Sequence, residues 1–114
     1  MKTCRGYITS TPFAGERVPQ HIQNIVIRDY SKKNKINLLM SNTEYCMKDC
    51  QLILNQTIKE LELIDGIIFY SLFQLPVKDT ERSYIYESVI SNKKMLYFAV
   101  ENITATSKND FSLI

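Results

Sequence analysis

Ile67-Ile68-Phe69-Tyr70-Ser71-Leu72 is the stretch whose reading decides the fold. It is almost unbroken in apolar character, with Gly66 ahead and Pro76 behind, and shows none of the in-out alternation of a half-exposed strand. A run of this length buried on both faces reads as a central strand of a parallel sheet. Its flanks are helical. Upstream, Leu54, Ile58 and Leu61 recur at i, i+4 and i+7 on a helix that begins around Asp49. Downstream, Pro76 interrupts the chain and Asp79 or Thr80 can cap a helix through about Asn92, buried through Ile85 and Val89. Residues 95–100 then form another apolar strand.

Farther upstream the same alternation continues. Residues 36–40 read as a strand followed by the polar segment Ser41-Asn42-Thr43-Glu44-Tyr45. Residues 19–33 read as a helix with Ile22, Ile25, Val26 and Tyr30 at helical spacing, and Pro19 suits its first turn. Residues 6–11 are a β-branched and aromatic run ended by Pro12. Strand and helix therefore alternate four strands deep. Each helix is a right-handed crossover between parallel strands, which predicts a three-layer α/β/α domain with a four-stranded, mostly parallel sheet in the order 2-1-3-4, flavodoxin-like in plan. The switch point lies between the first and third strands, and ligands of such sheets bind outside the carboxyl ends of the strands there.

At 114 residues the chain is expected to be one domain, with residues 104–114 a loose tail whose Phe111, Leu113 and Ile114 can dock on a neighbour. A hydrophobic content of 45% supplies a core, and the charged share of 23% is that of an ordinary globular protein. A net charge of +2 with scattered lysines argues against a nucleic-acid partner. The N-terminus lacks the apolar run of a signal peptide and no stretch is long enough to cross a bilayer, so a cytoplasmic location without membrane contact is expected. Cys4, Cys46 and Cys50, with a single histidine in the chain, match no zinc spacing. Free thiols, no metal and no cofactor are the expectation.

The switch point nominates residues. Thr9, Ser10 and Thr11 from the first strand, and Tyr70, Ser71 and Gln74 from the third, line its carboxyl edge and can offer hydroxyl and amide groups to a ligand. Arg17 lies in the long loop before the helix opening at Pro19, where a guanidinium and exposed N–H groups can together hold an anion. Glu44 and Glu101 are the carboxylates nearest strand carboxyl ends and are the candidates for acid/base catalysis. Tyr45 and Tyr70 can stack on a sugar ring.

Two resemblances accompany these readings. Gly6-Tyr7-Ile8-Thr9-Ser10-Thr11 and Ser71-Leu72-Phe73-Gln74-Leu75-Pro76-Val77 resemble strand motifs of the serine recombinase (resolvase) catalytic domain, which implies a resolvase-like fold. The family's nucleophile position falls on Thr11, and its phosphate-holding arginines fall on Thr9, Gln74 and Val77. Phosphoryl transfer needs cations around the transferring phosphate, so recombinase activity is not implied. Arg5-Gly6-Tyr7, Thr9-Ser10, Pro12-Phe13, Gln23-Asn24, Arg28-Asp29-Tyr30 and Glu44-Tyr45 resemble the sporadic carbohydrate cluster proteins. Asp65-Gly66-Ile67, Tyr70-Ser71-Leu72-Phe73, Leu75-Pro76, Phe98-Ala99 and Glu101-Asn102 continue that resemblance. Those are short bacterial proteins encoded beside surface-polysaccharide genes.

The resemblance implies a small bacterial protein of surface-carbohydrate biosynthesis that binds or transforms a sugar, nucleotide-sugar or anionic intermediate. Whether it catalyses is open. The alternative is a non-catalytic interaction subunit that homo-oligomerises or partners a carbohydrate-biosynthesis enzyme. Arg17 and Glu44 separate the two: convergence in a concave site favours the ligand, an outward, apolar-centred face favours the partner.

Overall fold

Phe69 stacks against Phe98 at 5.4 Å between ring centroids and meets Tyr7 at 5.3 Å in a tilted arrangement, so three strands contribute to one aromatic centre. The computed structural model describes residues 1–10, 17–44, 52–76, 78–107 and 110. The strands are β1 (Lys2–Thr9), β2 (Ile36–Glu44), β3 (Gly66–Phe69), β4 (Met95–Phe98) and β5 (Ile103–Ala105). The helices are α1 (Gln20–Lys33), α2 (Leu52–Lys59) and α3 (Asp79–Ser91), with 3-10 turns at Glu60–Glu62 and Leu72–Gln74. The sheet order is β2-β1-β3-β4-β5.

The first four strands are parallel and in the expected order, with Cys4 beside Gly66 and Tyr7 beside Phe69 where β1 meets β3. The expected four-stranded sheet is corrected to five, because β5 adds antiparallel to β4 through Tyr97–Thr104 and Phe98–Ile103 pairs. Asn102, at φ 55°, turns the chain back so that Ala105 is fully buried. Thr104 and Ala105 therefore belong to the sheet and not to a loose tail. A three-residue strand is too short to display a period, which is why the sequence pattern missed it. Just beyond, the Asp110 carboxylate accepts hydrogen bonds from the N–H groups of Thr106 and Ser107, which hold it below the usual carboxylate range.

Two further boundaries move. β2 runs on to Glu44 through the segment expected to be loop, because a bulge against β1 re-aims it: Arg5 pairs with Leu39 but Tyr7 with Asn42. Arg5 bridges this bulge by donating to the Met40 carbonyl at 2.9 Å and to Glu60 at 3.0 Å. β3 stops at Phe69, and Ser71 and Gln74 close a capping box on the 3-10 turn that follows.

The two faces of the sheet carry separate cores. α2 and α3 cover Tyr7, Ile67, Phe69, Leu96 and Phe98 with Leu54, Ile58, Ile85 and Val89, the residues their periodicity nominates. α1 covers Cys4, Ile8, Ile68 and Tyr97 with Ile27 and Tyr30. Each fully buried aliphatic or aromatic side chain contributes about 1.5–3 kcal/mol. α1 is rotated from its expected facing by about one residue, or ~100°. Gln23, Ile27, Tyr30 and Ser31 form the buried row, whereas Ile22 and Ile25, expected inside, are 38% and 55% exposed. A polar side chain takes an inward position because it has buried partners to meet.

No helix among the described residues is long and apolar enough to cross a membrane.

Candidate functional site at the carboxyl ends of the central strands

β1 and β3 run side by side, and of the polar residues expected at that edge Thr9, Ser10, Ser71 and Gln74 enter the hydrogen bonding around their ends. Gln23, from the first turns of α1, reaches over the end of β1. Its Oε1 accepts from the Thr9 N–H at 3.0 Å, while its Nε2 donates to the carbonyls of Thr9 and Val18, each at 2.8 Å. The same Oε1 accepts from Gln74 Nε2 at 2.9 Å, and Gln74 Oε1 accepts from the Ser71 N–H at 3.2 Å. Two neutral amides thus tie β1, α1 and the turn after β3 into one latch. Gln23 belongs to the resemblance motif Gln23-Asn24 but is not nominated for this edge by the sequence, since a glutamine in an amphipathic pattern does not show which buried partners it meets.

The two candidate carboxylates are engaged in the same way. Glu44, 1% exposed at the end of β2, accepts from the Tyr7 hydroxyl and from the N–H groups of Ile53 and Leu54, all at 3.0 Å. A carboxylate facing the first turn of a helix satisfies donors that the helix cannot and complements its dipole. Glu101, half-buried in the turn between β4 and β5, accepts from the Ser71 hydroxyl at 2.8 Å and the Leu72 N–H at 3.0 Å. It secures the 3-10 turn after β3. Both side chains hold together segments that are distant in sequence.

The hydroxyls are similarly committed. Ser10 donates through both its N–H, at 2.9 Å, and its Oγ, at 3.1 Å, to the Glu44 carbonyl. Thr9 is buried, and Tyr70 is half-buried against the α1-side core. Among the described residues, no buried side-chain nitrogen or oxygen lacks a hydrogen-bond partner. Arg17 differs: it is exposed, two residues before Pro19, and α1 opens there with neither a side-chain cap nor an acidic residue in its first turn. Glu44 is turned into the protein, so Arg17 and Glu44 do not share an open site. Thr11, Tyr45 and Val77, together with Cys46 and Cys50, lie outside the described residues.

Other chemistry is sparse. Cys4 is a free, fully buried thiol that desolvation pushes from 9.0 to about 12, and no group of three or more metal-ligating side chains exists among the described residues. Burial likewise raises Tyr97 to about 12.

No protein-family model matches the chain, and no curated protein matches it. Solved structures do. The N-terminal catalytic domain of TP901-1 integrase superposes with a TM-score of 0.70 at 16% identity, over 96% of this chain and 87% of that one. A resolvase family site-specific recombinase from Streptococcus pneumoniae superposes with a TM-score of 0.73 at 8% identity, over 96% of this chain and 81% of that one. At such identities the likeness is one of fold, and the resolvase-like plan expected from the strand motifs is the one observed.

Proposed function

We propose that this chain is a non-catalytic interaction subunit built on the resolvase-type scaffold, acting beside an enzyme of surface-carbohydrate biosynthesis. The observation that carries the reading is the closed hydrogen bonding at the switch point. A catalytic acid or base must reach the reacting proton, and a binding hydroxyl must be free to meet its ligand. Glu44, Glu101, Ser71, Gln23 and Gln74 instead meet one another and the backbone. The carbohydrate setting rests on the resemblance of Arg5-Gly6-Tyr7, Tyr70-Ser71-Leu72-Phe73 and their companions to the sporadic carbohydrate cluster proteins.

A second reading has one observation in its favour. Arg17 stands exposed beside the uncapped start of α1, an arrangement suited to a sugar phosphate, nucleotide-sugar or other anionic intermediate. That reading keeps Thr9, Ser10, Thr11, Tyr45 and Tyr70 as the candidate ligand-facing residues nominated by the sequence.

A thermal-shift panel of nucleotide-sugars, sugar phosphates and keto-acids separates the two. The interaction reading expects no stabilisation. A ligand at a hundred times its Kd adds about 2.7 kcal/mol, which is several degrees in Tm for a domain of this size. Such a rise, lost in Arg17→Ala and kept in the distant surface variant Lys2→Ala, would replace the interaction reading with the ligand-binding one.

A further inference from the structure

Charge is spread unevenly over the molecule. Arg17, Arg28, Lys32, Lys33 and Lys35 lie on or beside α1, all exposed, against Asp29 alone among the described residues there, a local net charge of +4. Across the sheet, Glu60, Glu62, Asp79, Glu81 and Glu87 on or beside α2 and α3 are balanced by Lys59, Lys78, Arg82, Lys93 and Lys94, so that side is neutral. The whole chain carries only +2, and its positive excess is therefore concentrated on the α1 face. Lys33 is paired with Asp29 at 3.0 Å, whereas Arg17, Arg28, Lys32 and Lys35 form no ion pair with a described residue.

The same face exposes apolar side chains. α1 buries Gln23, Ile27, Tyr30 and Ser31. With about 100° between successive residues, the opposite side of the helix is centred on His21, Ile25, Arg28 and Lys32, spaced i, i+4, i+7 and i+11. Ile25 is 55% exposed, and Ile22 on its flank is 38% exposed. Arg17 precedes the helix and Lys35 follows it, so cations bracket the two isoleucines along about 20 Å of axis.

We infer that this face docks on an anionic lipid bilayer. α1 lies flat on the membrane surface, with Arg17, Arg28, Lys32 and Lys35 meeting lipid phosphates and Ile22 and Ile25 entering the boundary between headgroups and acyl chains. A nucleic acid would account for the cations, but its phosphate backbone offers nothing to two isoleucines set among them. A bilayer surface satisfies both kinds of side chain, and such a contact needs no membrane-spanning segment. The neutral side formed by α2 and α3 is then turned away from lipid and left for the protein partner of the interaction reading, on which this inference does not depend.

Co-sedimentation of the full chain with vesicles tests it, comparing phosphatidylcholine alone with a three-to-one mixture of phosphatidylcholine and phosphatidylglycerol. Retention is expected on the mixed vesicles only, and is expected to fall by about tenfold when salt is raised from about 50 mM to about 500 mM. Two pairs of exposed substitutions, Arg28→Gln with Lys32→Gln and Arg28→Glu with Lys32→Glu, are expected to weaken partitioning by about tenfold or more with an unchanged circular dichroism spectrum. Lys59→Gln with Lys78→Gln makes the same change in net charge on the other side of the sheet and is expected to leave partitioning as it was. Ile25→Ser leaves every cation in place and is expected to weaken partitioning by about threefold or more at either salt concentration. A chain that stays in solution with the mixed vesicles overturns the inference. So does equal weakening by the two glutamine pairs, which would assign the effect to net charge, or full retention in Ile25→Ser. Binding of a 20-base-pair DNA duplex through Arg28 and Lys32 without retention on vesicles would overturn it in favour of a nucleic acid. A positive result in the soluble-ligand panel above would overturn the interaction reading and leave this inference standing.

Discussion

Glu44 shows how one residue type can be read for chemistry and serve architecture. Its carboxylate joins β1, β2 and α2 by accepting from the Tyr7 hydroxyl and two helix N–H groups. In Glu44→Gln one acceptor oxygen becomes an NH2 donor facing a donor. Leaving a buried donor unsatisfied costs about 1–3 kcal/mol, and more where the lost partner was charged. The expected result is a urea midpoint lowered by that amount with an unchanged slope. A variant as stable as the wild type would return Glu44 to the list of groups available to a ligand. Gln23 makes the same point with a neutral group. It is fully buried, and its amide serves Thr9, Val18 and Gln74.

At the scale of elements, the closeness of β3 to β4 depends on Gly66. A Cβ built on it would sit 2.5 Å from the Met95 carbonyl oxygen, which is backbone and cannot swing aside. Gly66→Ala must therefore spread the two central strands or shift their register. Overpacking of this kind costs about 1–3 kcal/mol. Chemical denaturation is expected to show that loss, and amide hydrogen exchange is expected to quicken along β3 and β4 before it does along β2. Unaltered stability would mean that the strands are less tightly apposed. α1 carries the contrasting lesson. Its period is helical, but a single buried glutamine rotates it by one residue and places Ile22 and Ile25 outside.

For the molecule as a whole, buried protonated groups set the alkaline limit of stability. Cys4 is raised from 9.0 to about 12 and Tyr97 from 10.0 to about 12, with desolvation the leading cause for both, and burial also raises Tyr86. The folded state therefore holds protons that the unfolded chain releases. Their contribution is fully present below about pH 9 and is lost as pH climbs toward 12, at up to about 1.4 kcal/mol per pH unit for each group. Urea midpoints are expected to be insensitive to these groups between pH 7 and 8.5 and to fall above 9. In Cys4→Ala the fall should begin later, near the onset of tyrosine ionisation. An onset unmoved by that substitution would show that the thiol does not contribute.

The sequence by itself determined the alternation of strands and helices, the parallel order of the first four strands, and the inward rows of α2 and α3. Those features follow from local periodicity and from the limited handedness of crossovers, which any window of the chain displays. Tertiary structure alone decided the rotation of α1, the addition of β5, and the inward turn of Glu44 and Glu101. Each of these is settled by partners far away in the chain, as when Gln23 meets Gln74 or Ser71 meets Glu101. A buried polar group is stable only where such a partner waits, and no local pattern records where that is.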